Sequence, residues 1–73
     1  MGTKSKKAVF KNPDELYECE KGTEVILVFD SGEEYTGIFN GLDDDEIILK
    51  STQSEDTIGL PYNRLKFFLK RIA

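Results

Sequence analysis

The sequence predicts a mainly β protein: a short N-terminal helix followed by a strongly bent five-stranded antiparallel barrel. Three observations carry this expectation. From Thr23 onward, apolar residues recur with a period of two in short runs bounded by Gly, Pro, Asp and Ser, the pattern of half-buried strands. Gly37 and Gly41 stand inside the second of these runs, where a small barrel needs sharp bending or close backbone approach. The chain has 73 residues, enough for one domain with a small core that gains stability by associating with other copies.

Residues 1–11 are polar and basic and are expected to form a flexible arm, with residues 12–73 as the barrel domain. Asn12-Pro13-Asp14-Glu15 reads as a helix start, with Asn12 as cap, Pro13 in the first helical position and two acids at the positive end of the dipole. Leu16 and Cys19 then share a face, and Gly22 ends the helix. Glu24 to Asp30 is a strand with Val25, Leu27 and Phe29 on one side. Asp30-Ser31-Gly32-Glu33 turns the chain into Glu34 to Leu42, whose Tyr35, Gly37, Phe39 and Gly41 share a face. Asp43-Asp44-Asp45 is a tight turn into Glu46 to Lys50, and Ser51 to Asp56 is a polar loop. Thr57 to Leu60 is the fourth strand, Pro61-Tyr62-Asn63 a turn, and Arg64 to Ile72 the last strand. In that strand Leu65, Phe67 and Leu69 are expected inside, so that Phe68 faces outward and needs cover from a neighbour or from the helix.

Composition narrows the chemistry. A single Cys and no His exclude internal disulfides, His-containing zinc sites and His-based triads, and no nucleophile–base pair is recognisable, so no enzyme activity is expected. No cofactor or metal is implied. Cys19 reads as a small apolar residue, and the Asp43–Glu46 cluster as a solvated turn. No apolar run approaches a membrane span and no signal-peptide stretch opens the chain, so a cytoplasmic protein without a membrane partner is expected. The net charge of −4 is a poor guide to partners, because residues 1–11 carry +4, residues 12–56 carry −12 and residues 57–73 carry +4. Screening confines each field to about 10 Å at 0.1 M salt, so the basic ends remain able to hold phosphate.

One stretch carries a family pattern: Val25-x-Leu27-x-Phe29-x-x-Gly32-x-x-Tyr35-x-Gly37-x-Phe39-x-Gly41-Leu42-Asp43, followed by Ile47-Ile48-Leu49 and preceded by Leu16 and Gly22. It resembles the Sm/LSm-like family of RNA-binding proteins, whose SH3-like barrels form rings. The resemblance implies a homo-oligomeric ring in which the last strand pairs with the fourth strand of the neighbour, with Phe68 and Leu60 at that interface. It also implies single-stranded RNA as a partner. Asp43 would support the binding loop, Tyr62, Asn63 and Arg64 would offer a stacking face, an amide and a guanidinium on one turn, and Lys66 would follow. Turn chemistry alone also explains Pro61 and Asn63. The family's base-binding Asn has no counterpart after Asp43, and Leu65 stands where its second motif has Gly. These departures keep a second reading open: an SH3-like barrel serving protein–protein assembly without nucleic acid.

Overall fold

The computed structural model describes residues 7–71. Six antiparallel strands form one sheet: β1 (Lys7–Phe10), β2 (Glu24–Phe29), β3 (Glu34–Asp43), β4 (Glu46–Lys50), β5 (Thr57–Pro61) and β6 (Leu65–Arg71). Their order is β1-β6-β2-β3-β4-β5, so β1 and β5 are the two open edges. This corrects the expected fold. The sheet has six strands rather than five, it is open rather than a closed barrel, and no α-helix precedes it among the described residues.

The expected helix is instead a 3-10 segment over Pro13–Glu18. Its start is built from the residues that signalled it, with Pro13 in the first turn and Asp14 N–H donating to Asn12 Oδ1 at 3.0 Å. Its continuation fails on charge. Asp14 and Glu15 lie four and three residues before Glu18, so helical geometry would stack like charges, and no cation stands in the last turn to meet the dipole. The segment closes when Cys19 N–H donates to Leu16 O at 3.0 Å. A single fully buried side chain, Leu16, fastens it to the sheet, and that burial contributes about 2 kcal/mol.

The sixth strand lies in the segment expected as an arm. Lys7, Ala8, Val9 and Phe10 pair with Arg71, Lys70, Leu69 and Phe68 of β6. Residues 1–6, which hold the rest of that arm, and Ile72 at the end of the expected last strand lie outside the described residues. Four residues, one of them a lysine, carry little strand signal of their own, and β1 is held by pairing and by the contact of Phe10 with the core.

Phe68 is also corrected: it lies in the core, 1% exposed, rather than facing outward. The cause is a β-bulge. Val28 pairs with Phe67 but Phe29 pairs with Leu65, leaving Lys66 as an extra residue on β6. The insertion resets the alternation, so Leu65 and Phe68 both point inward although they are three apart. A second bulge on β3, between Phe39 and Leu42, contains Gly41 at φ +103°. Gly37 serves close approach instead: a Cβ there would lie 2.7 Å from Leu49 Cγ and 2.8 Å from Lys50 O. The two bulges curl the sheet until Leu60 and Leu65, on either side of the Tyr62–Arg64 turn, enter the same core as Val25, Leu27, Ile47 and Leu49.

Candidate functional site

The residues expected to bind RNA sit around a second 3-10 turn, Tyr62–Arg64, between β5 and β6. That turn lies beside the β3–β4 turn, since Tyr62 N–H donates to Asp45 O at 2.9 Å. Asp43 ends β3 opposite Glu46, and Glu46 in turn pairs with Pro61. Asp44 and Asp45 between them have φ of 52° and 66°, both in the left-handed region, the geometry of a tight two-residue hairpin. The structure thus brings the acidic turn and the Tyr62 turn together through backbone.

It separates the side chains. Tyr62 is half-buried; its hydroxyl donates to Asp14 Oδ1 at 2.6 Å and its ring tilts against Tyr17 at 5.3 Å between centroids. Burial first, and then the Asp14 carboxylate that accepts its proton, push the Tyr62 phenol well above the usual tyrosine range. The ring therefore ties the two 3-10 turns together. Arg64 goes elsewhere, lining a cleft of about 160 Å³ with Phe29, Ser31, Glu33, Tyr35, Leu60 and Pro61. Lys66 lines a different groove, with Val9, Lys11 and Phe67. Asn63 is exposed at the turn. The expected single stacking-and-cation surface is therefore distributed over three places, and the acids of the β3–β4 turn flank the Tyr62 member.

Phe68 and Leu60, expected at an oligomer interface, are both buried in the chain's own core. The edges themselves are the less obvious feature. On β5, Ile58 pairs with Leu49 and so faces the core side, yet it is 48% exposed because no strand lies beyond it. On β1, Ala8 and Phe10 face the core side at the opposite edge and are partly exposed. Lys7 and Lys11 flank the β1 edge; Glu46 and Asp56 stand at the β5 side, along with Glu55, which is paired to Lys50 at 3.1 Å. Alternation of Ile58 with Leu60 was a readable signal for the β5 edge. Nothing in the sequence announced the β1 edge, because β1 itself carried no strand pattern.

Two other groups have defined roles. Cys19 is half-buried against the core, and burial pushes its thiol up, away from a reactive thiolate. Among the described residues no three acid or thiol side chains converge as metal ligands, and no helix is long and apolar enough to cross a membrane. No family model, curated protein or solved structure matches the chain.

Proposed function

We propose that the protein is a cytoplasmic assembly module whose copies join head to tail, the β1 edge of one against the β5 edge of the next. The observation that carries this reading is the pair of open edges, each with unpaired backbone groups and a core-side apolar residue left partly uncovered, Phe10 at one and Ile58 at the other. Charge supports head-to-tail pairing over like-with-like. Lys7 and Lys11 would repel a second β1 edge, and Glu46 and Asp56 would repel a second β5 edge, whereas unlike edges attract. Pairing of unlike edges is heterologous and closes into a ring when the rotation allows, the assembly that the Sm-like resemblance of β2–β4 implies. Pro61, with no N–H, limits the pairing at that end of β5.

RNA association, as in Sm-like proteins, is the second reading. Arg64 favours it: it lines a cleft with Tyr35 and Ser31 in which Glu33 is the one acid, and none of the Asp43–Glu46 acids lines that cleft. Light scattering after size exclusion, with and without oligo-U, separates the readings. Assembly predicts a mass that is a multiple of 8.3 kDa and falls to the monomer in Ile58→Lys. A monomer at every concentration overturns assembly. Oligo-U binding lost in Arg64→Ala supports the RNA reading, and no binding at low salt removes it.

A further inference from the structure

The side of the sheet facing away from the core carries a second apolar surface. Val9 pairs with Leu69 and Leu69 with Ile26, so these three form one row across β1, β6 and β2. Phe67 pairs with Val28 in the next row, on the same face as Leu69 and Ile26. Val9 is 55% exposed and the others are half-buried, and among the described residues no element is laid over them. The 3-10 segment that covers Phe68 lies on the opposite face, packed through Leu16. Between Val9 and Phe67 the surface dips into a groove of about 290 Å³, with room for a large apolar side chain.

The rim of this groove is cationic. Lys11 and Lys66 line it, and Lys7 stands two residues before Val9 on the same face of β1, beyond the groove. None of the three makes an ion pair among the described residues, and no acid lines the groove. Arg71, the register partner of Lys7 in the neighbouring row, is itself paired with Glu24 at 2.8 Å. An apolar floor with unpaired lysines around it is complementary to a segment that carries apolar and acidic side chains together.

We propose that this face docks an acidic peptide segment of a partner protein, which places an apolar side chain between Val9 and Phe67 and carboxylates against Lys7, Lys11 and Lys66. The head-to-tail assembly proposed above does not occupy this face. In edge-to-edge assembly the sheet continues from β5 into the neighbouring β1, so Ile58 meets the core side of β1, beside Ala8 and Phe10, and leaves Val9 uncovered. The surface is therefore independent of the proposed assembly and is presented by monomer and oligomer alike. Nucleic acid fits less well, since Phe67 is the only aromatic ring in the two rows and base recognition needs stacking platforms.

The test is fluorescence anisotropy of the full chain with a labelled synthetic peptide in which Glu and Leu alternate. The same peptide with Lys for Glu, oligo-U and vesicles of anionic lipid are the comparison probes. Saturable binding of the acidic peptide is expected, with at least a tenfold loss in Lys11→Glu/Lys66→Glu and in Val9→Ser. Both variants alter exposed side chains, and unchanged thermal unfolding keeps their effect on binding interpretable. Equal binding of the Lys peptide, or acidic-peptide binding that the variants leave intact, overturns the proposal. So does oligo-U or vesicle binding that these variants abolish while the acidic peptide fails to bind, and so does failure of every probe.

Discussion

The Phe10 ring lies flat on Phe68, with centroids 5.0 Å apart and planes at 6°. This stack joins the first described strand to the last and is the main apolar anchor of β1, whose other core-side residue is only Ala8. Phe10→Ala should cost about 2 kcal/mol, less than the 3–5 of a fully buried ring because Phe10 is partly exposed. Phe68→Ala should cost about 4 kcal/mol. Urea unfolding gives both numbers. Equal costs would mean that Phe10 contributes as much to stability as the fully buried Phe68.

The Tyr62–Asp14 bond makes stability depend on alkaline pH. The folded phenol is harder to ionise than the unfolded one, so the folded state favours the neutral form. Its contribution is complete below the unfolded value of about 10 and is lost as pH rises from there toward the folded value. Urea midpoints measured between about pH 8 and 11 should fall more steeply for the wild type than for Tyr62→Phe. At pH 7 the variant should lose about 1 kcal/mol, a modest figure because Asp14 is exposed.

Much of this was legible in the sequence, and the misses have physical causes. The strands from Glu24 to Arg71 follow from alternation and turn residues, because each half-buried strand writes its period directly. Phe68 was misplaced because a bulge inserts Lys66, and a bulge shifts parity without any residue type announcing it. The 3-10 segment was read as a helix because the cap of Asn12 and Pro13 is genuine, while the acidic repulsion that stops it acts three and four residues later. At the candidate site, adjacency of the two turns follows from their order in the chain. The divergence of Tyr62, Arg64 and Lys66 does not, since it depends on Asp14 and on β1, both distant in sequence.

The hairpin turn at Asp44 and Asp45 holds two non-glycine residues at positive φ, with Asp43 and Glu46 adding charge repulsion. Asp44→Asn with Asp45→Gly places the preferred residues of this turn type there and removes one of the strains at each position. A gain of about 1 kcal/mol is expected in thermal or urea unfolding. A loss would show that the carboxylates make compensating contacts.

Gly37→Ala is expected to cost about 2 kcal/mol, because the new methyl would press on Leu49 and on the backbone carbonyl of Lys50, which cannot rotate away. Unchanged stability would mean that β3 and β4 separate locally without penalty.

The central claim is that β1 and β5 are the surfaces through which copies join. Amide hydrogen exchange, followed at residues 7–10 and 57–60 as protein concentration is raised, reads both edges at once. The account predicts that protection rises at both edges together and that Ile58→Lys abolishes the rise at both. Exchange at either edge that stays constant while the protein oligomerises, or that stays constant because it never does, would contradict it.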